Sequence, residues 1–218
     1  MYLPKSFEMP EWQEIVHFVE QVRAADLVSI NEQGEPVSTL MPCIWDYGVG
    51  TEGDYGTLYV HMARANKQWR SIQEGANGLA IFHGIQAYIS PSNYEAKSST
   101  GKVVPTWNYN SVQLSGKLSV SHDPDYLLKV VSELSRFHES KRATPWEISD
   151  APTEYIADEL QGIVAVTMHV TKVQAKAKMS QNRSEFDRSE VIKDLKNSIF
   201  SEDWEVAEYM KLSLKNSD

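Results

Sequence analysis

Between residues 26 and 120 the sequence runs in short strand-like segments, most of them separated by turn residues rather than by helix-length connections. Parallel strands need a crossover of a dozen or more residues, whereas antiparallel strands can be joined by tight turns. The spacing therefore favours an antiparallel sheet closing toward a barrel over a doubly wound parallel sheet. Residues 26–30 read as a strand, 31–35 as a turn around Gly34, and 36–45 as the return strand of a hairpin. A loop rich in glycine and acids follows over 46–55, then a third strand over 56–62. Asn66 is placed to cap a short helix over 67–74 that stops at Gly75. Asn77-Gly78 reads as a turn, 79–82 and 86–89 as strands around His83-Gly84, 90–101 as a polar loop, and 106–120 as one long strand or a bent pair.

Helices flank this region. Trp12, Ile15, Val16, Val19 and Val22 form an apolar stripe at helical spacing within 10–23. Asp123-Pro124 has the cap-then-proline order of a helix start, and Leu127, Val130, Val131, Leu134 and Phe137 give that helix a buried face. A short helix is expected over 153–160, a central β-branched strand over 162–175, and helices over 184–198 and 201–214. The fold class is mainly β with peripheral helices, α+β.

Composition narrows the function. A formal net charge of -9 over 218 residues disfavours direct nucleic-acid binding, which draws its strength from Lys and Arg on phosphates. Cys43 is the only cysteine, so an intrachain disulfide is excluded and a cytoplasmic, reducing setting is expected. The start Met1-Tyr2-Leu3-Pro4-Lys5 does not read as a signal peptide, and no apolar run is long enough to span a bilayer, so no membrane association is expected. None of the six histidines pairs with another at helical metal-ligand spacing, which argues against a metal site.

Four clusters mix cations, amides, hydroxyls and rings: residues 61–69, 86–94, 101–109 and 178–183. Arg64 follows a strand and precedes a short helix, where it can grip a phosphate with two nitrogens. Tyr88 and Ser90 share one strand face, as do Thr106 and Asn108, with Trp107 and Tyr109 on the opposite one. Lys102 can supply charge, and Trp107 can pack on a planar ring. Lys176 and Lys178 alternate as solvated edge lysines do, while the Ser180-Gln181-Asn182 run that follows carries donors for ring carbonyls. No nucleophile has a placed base, and Gly48-Val49-Gly50 lacks the third glycine and helix of a phosphate loop. The helix over 184–197 interleaves Glu185, Asp187, Glu190 and Asp194 with its Lys and Arg, which reads as a solvated face.

Taken together these segments resemble the PaiB family, described as FMN-binding negative transcriptional regulators. The likeness rests on Gly56-Thr57-Leu58-Tyr59-Val60-His61-Met62-Ala63-Arg64-Ala65-Asn66 with Gln68-Trp69, and on Gln86-Ala87-Tyr88-Ile89-Ser90-Pro91-Ser92 with Tyr94 and Lys97. It continues through residues 102–109 and Ser180-Gln181-Asn182-Arg183. Two departures stand out: Asn93 occupies a position where the family pattern usually has Trp, and residues after about 199 extend past the shared pattern. The resemblance implies a split β-barrel of the FMN-binding and pyridoxamine-phosphate-oxidase type over 1–198 and a homodimer with FMN at the subunit interface; residues 199–218, on which it says nothing, read as a C-terminal helical extension. It further implies Arg64 and Asn66 on the phosphate, with Lys102 and Thr106 assisting. Tyr88, Ser90, Trp107 and Asn108 then border the ribityl chain and ring, and Lys178, Gln181 and Asn182 close the pocket. Regulation of transcription is expected to be indirect. The alternatives are a flavin-dependent oxidoreductase using NAD(P)H, and a haem-binding barrel using His61, His83 or His169.

Overall fold

The computed structural model describes residues 1–48, 50 and 54–215. Part of the expected 46–55 loop, including the middle of Gly48-Val49-Gly50, lies outside the described residues. In chain order the regular elements are α1 (Trp12–Val22), β1 (Ala24–Ile30), β2 (Pro36–Pro42), β3 (Ile44–Asp46), β4 (Thr57–Ala63), β5 (Ala76–Ile89), α2 (Ala96–Ser99), β6 (Thr106–Ser121), α3 (Pro124–Glu139), α4 (Thr153–Gln161), β7 (Ile163–Lys178), α5 (Glu185–Lys196) and α6 (Ser201–Lys215). The strands hydrogen-bond in the order β2-β1-β5-β6-β7-β4-β3. The pairs whose register is resolved, β1 with β2 and β5, and β4 with β3 and β7, are all antiparallel.

Two compact units divide the chain: residues 1–11, 83–112 and 174–218 form the first, and residues 12–82 and 113–173 the second. The long strands β5, β6 and β7 contribute a part to each.

The second unit holds β1 to β4 and parts of β5, β6 and β7. The hairpin β1–β2 is in register from Ala24↔Pro42 to Ile30↔Pro36, and Asn31 caps its turn by accepting the amides of Gln33 and Glu35. Alternation sends Leu58, Val60 and Met62 of β4 into the core, while Thr57, Tyr59 and His61 of the same strand lie on its other face. That other face is covered by α3, whose Leu127, Val130 and Leu134 pack with Ala165, Tyr59 and Ile163. Asp123 starts α3 as its composition predicts, its carboxylate accepting the Tyr126 amide at 2.7 Å. Burial pushes the Cys43 thiol up to about 12. Cys43 is therefore expected to resist a disulfide reagent at pH 8 and to react at once after denaturation, which a thiol titration with and without guanidinium checks.

Several boundaries differ from the sequence expectation. Asn77-Gly78 is the start of β5, not a turn: Asn77 accepts from Lys117, and a Cβ on Gly78 would lie 2.6 Å from Leu118 Cγ. Here the glycine makes room for a neighbouring side chain. His83-Gly84 does not interrupt β5. The helix expected over 67–74 is a short 3-10 turn, Lys67–Ser71, capped by Asn66 as anticipated.

In the first unit, α5 and α6 pack together and bury Val191, Ile192, Leu195, Val206, Ala207 and Met210. Ser184 caps α5 by accepting the Asp187 amide at 3.1 Å. The face read as solvated is not uniformly so: Asp187 and Arg188 are buried, and Asp187 accepts the Glu95 amide at 2.9 Å. The chain start lies along β7, with the Met9 amide donating to the Ala175 carbonyl at 3.1 Å.

Candidate flavin-binding site

Arg64 and Asn66 belong to the second unit, and the other nine sequence-predicted site residues to the first. In the second unit, β4 ends at Ala63 and delivers Arg64 to the α4–β7 turn. Its Nε donates to the Gln161 carbonyl at 2.7 Å, Nη2 to the Ile163 carbonyl at 3.0 Å, and Nη1 lies 3.3 Å from His122 Nδ1. The guanidinium thus fixes that turn with part of its donor set and keeps further N–H groups for an anion. Asn66 Oδ1 accepts the Gln68 amide at 3.0 Å while Nδ2 donates to Thr39 Oγ1 at 3.1 Å. A groove of about 410 Å³ lined by Asn31, Val37, Lys67, Arg70 and Ser71 follows directly on.

In the first unit the predicted residues gather around the start of β6. Tyr88 on β5 and Trp107 on β6 meet edge to face with centroids 6.2 Å apart, and both rings stay about half exposed, at 52% and 45%. Trp107 Nε1 donates to Gln86 Oε1 at 3.2 Å, which fixes the indole orientation. Lys178 Nζ, at the end of β7, donates to Thr106 Oγ1 at 2.6 Å and to the Trp107 carbonyl. Burial, followed by the charges of Lys176 and Arg183, pulls the Lys178 pKa below the ordinary lysine value. Ser90 does not continue the strand face of Tyr88. It caps the 3-10 turn Pro91–Asn93 by accepting the Ser92 amide at 3.2 Å, while Lys97 donates to Ser92 Oγ at 3.0 Å. Lys102 and Asn182 are exposed.

Gln181 is exposed as well, whereas Asn108 turns inward. Asn108 is fully buried, with Nδ2 donating to Ser180 Oγ at 3.0 Å and reaching Met210 Sδ of α6 at 3.5 Å. Gln181 folds back on its own backbone, accepting the Met179 amide at 2.7 Å and donating to the Ala177 carbonyl. Ser180 between them takes a left-handed φ of 62°.

Sequence reasoning missed four residues of this region. Gln86 orients Trp107, and Tyr94 carries the Arg183 guanidinium 4.3 Å above its ring. Lys176, read as a solvated edge lysine, is 5% exposed, with Nζ donating to the Tyr2 carbonyl at 3.1 Å. The arginine in the Ser180-Gln181-Asn182-Arg183 run was available as a signal; the burial of Lys176 depends on the chain start folding over β7 and was not. Asn93, standing where the family pattern has Trp, ties its turn to α5 by donating to Asp194 Oδ2 at 2.9 Å.

This donor set suits a planar anionic compound: two half-exposed rings and half-buried cations that form no ion pair among the described residues. A family model described as "Putative FMN-binding domain" matches residues 1–172. The chain belongs to this FMN-binding family. Within it, the chain is 34% identical over 215 residues to "Protease synthase and sporulation protein PAI 2" of Bacillus subtilis, covering 99% of both chains. That alignment runs through α5 and α6, so the similarity does not stop near residue 199 as the sequence pattern suggested. Among solved structures, the FAD and heme binding protein from Mycobacterium smegmatis matches with a TM-score of 0.57 at 15% identity, over 84% of this chain and 78% of that one. The flavocytochrome Anf3 from Azotobacter vinelandii matches with a TM-score of 0.53 at 14% identity, over 82% and 73%. These similarities and the antiparallel seven-stranded sheet with flanking helices establish the expected α+β split-barrel class.

Among the described residues, no helix is long and apolar enough to cross a membrane. No group of three or more His, Cys, Asp or Glu among them is placed to hold a metal ion.

Proposed function

We propose that this protein is a cytoplasmic, homodimeric FMN-binding protein that acts on transcription indirectly, through the state of its flavin. The observation that carries the reading is the half-exposed Tyr88–Trp107 pair, joined through the Trp107 carbonyl to the half-buried amine of Lys178. Rings left open to water cost free energy that a stacked planar ligand would recover. The family match over 1–172 names FMN as the candidate ligand, and the full-length PAI 2 relative supports a regulatory setting. In this reading the flavin domain spans 1–198, with 199–218 as its helical extension. Arg64 and Asn66 take the phosphate with Lys102 and Thr106. Tyr88, Ser90 and Trp107 border the flavin, with Asn108 supporting that wall from within, and Lys178, Gln181 and Asn182 close it. The bound flavin supplies hydride and electron transfer; the protein's part is placement and charge.

Dialysed protein titrated with FMN is expected to show quenching of Trp107 fluorescence that Trp107→Leu removes. No change in the emission of the wild type on adding FMN would overturn the reading. Arg64→Ala is expected to weaken FMN by roughly 1.5–3 kcal/mol through loss of a charge-assisted contact. The same change is expected to lower the melting temperature, because two carbonyls of the α4–β7 turn lose their donor.

An oxidoreductase is the second reading, since flavin chemistry asks for no acid–base residues from the protein. FMN-dependent NAD(P)H oxidation by the purified protein distinguishes it from a binder. A haem reading is tested in the same spectra by the Soret band. The buried, unpartnered Nδ1 of His61, which burial holds below the usual imidazole pKa, is the observation on its side.

A further inference from the structure

Lys176, Lys178 and Arg183 stand together at and just beyond the end of β7, where Glu8 bridges to Lys176 through the backbone. Lys178 feels the charge of both neighbours, and none of the three forms an ion pair with a carboxylate among the described residues. In a chain with 30 acidic and 21 basic residues, three adjacent cations left unneutralised require a reason. Each is instead held by neutral groups. Lys176 Nζ lies between the Tyr2 and Tyr109 rings, 5.7 and 5.1 Å from their centroids, and donates to the Tyr2 carbonyl. Lys178 Nζ is fixed by Thr106 and the Trp107 carbonyl, 6.0 Å from the Phe7 ring. Arg183 rests 4.3 Å above Tyr94. Aromatic faces and carbonyls hold a cation in place without cancelling its charge, whereas a carboxylate would leave a nearly neutral pair. A second observation points the same way: Tyr94, the 3% exposed ring under Arg183, keeps a buried hydroxyl with no hydrogen-bond partner among the described residues.

We propose that Lys178 and Arg183, both half-buried, bind a phosphate group, with the buried Lys176 adding to the field behind them. A dianion would relieve the mutual repulsion of the three cations and accept from donors already in position. The choice of phosphate over other oxyanions rests on the flavin reading; the anion site itself does not. Two sources share this chemistry. One is the phosphate of FMN, in place of its assignment to Arg64 and Asn66. The other is the phosphate of a second ligand bound alongside the flavin.

The full-length protein is titrated by calorimetry with FMN, riboflavin and inorganic phosphate. The same titrations are run on Lys178→Met, Arg183→Met and Lys178→Arg, with melting curves confirming that each variant folds. If the site takes the flavin phosphate, both Met variants lose FMN affinity by roughly ten- to a hundred-fold, Arg183→Met leaves riboflavin affinity the same, and Lys178→Arg recovers most of the loss at its position. If it takes a second ligand, FMN affinity holds in Arg183→Met while the binding of inorganic phosphate disappears in both Met variants. Phosphate binding that depends on Lys178 in a wild type that binds neither flavin would sustain the anion site and sink the flavin reading. FMN and phosphate affinities that are unchanged in both Met variants, or a wild type that binds neither FMN nor phosphate, would overturn the proposal. Affinity for the anion is also expected to fall with rising pH, beginning below the ordinary lysine value because the Lys178 ammonium gives up its proton early.

Discussion

Gly56→Ala is expected to cost about 3 kcal/mol or more, lowering the melting temperature by roughly 6–12 °C. Gly56 opens β4 with φ 76°, a region that L-residues enter with strain. A Cβ there would also stand 1.8 Å from the Asp46 carbonyl oxygen and 2.8 Å from backbone carbons of Asp46 and Tyr47. No side-chain rotation relieves a clash with backbone, so the β3–β4 hairpin must move. That hairpin is pinned on its other side: the Val170 amide donates to the Gly56 carbonyl at 2.8 Å, the Tyr55 amide to the Val170 carbonyl at 2.9 Å, and Trp45 Nε1 to the Tyr55 carbonyl at 2.7 Å. Circular dichroism melts of the wild type and variant decide the matter. A shift of less than about 2 °C would show that the turn adapts and that its geometry is not required.

The second large effect belongs to Gln68, which is 3% exposed and makes more polar contacts than its position on a short 3-10 turn suggests. Its Nε2 donates to the Leu27 carbonyl at 2.8 Å and lies 3.1 Å from Ser29 Oγ and 3.2 Å from the Val37 carbonyl; its Oε1 accepts from Thr39 at 2.5 Å. One amide therefore ties the 3-10 turn to both strands of the β1–β2 hairpin. Gln68→Leu keeps the size but leaves buried carbonyls and a hydroxyl without their partner, for an expected loss of roughly 2–4 kcal/mol. The effect should reach function, because Asn66 is held by the same Thr39 hydroxyl and by the Gln68 amide. FMN titration and urea unfolding of the variant, run together, are expected to show reduced affinity and a lower midpoint. Unchanged stability would mean that water replaces the amide at every contact.

How much of this was legible in the sequence depends on the range over which each signal acts. The caps at Asp123, Ser184 and Asn66 were readable because the bond each makes spans two or three residues. The apolar stripe of α1 was equally plain, since Ile15, Val16 and Val19 all become buried. Asn77-Gly78 was misread because a glycine that makes room for Leu118 looks, in sequence, the same as one that turns the chain. Lys176 was misread because a lysine in alternation signals solvent unless something distant covers it, and the cover is Tyr2, 174 residues away.

The sequence by itself determined most of the elements, the antiparallel class and the family, because local periodicity, capping chemistry and an ordered series of short motifs are properties of neighbours along the chain. Only the tertiary structure decided which polar side chains remain available to a ligand. Thr106 and Lys178 meet, and Asn108 and Ser180 satisfy each other, across 72 residues in each case, so their roles follow from the alignment of β6 with β7. A hydrogen bond spent inside the protein and one held ready for a ligand use the same atoms, and only the position of the partner distinguishes them.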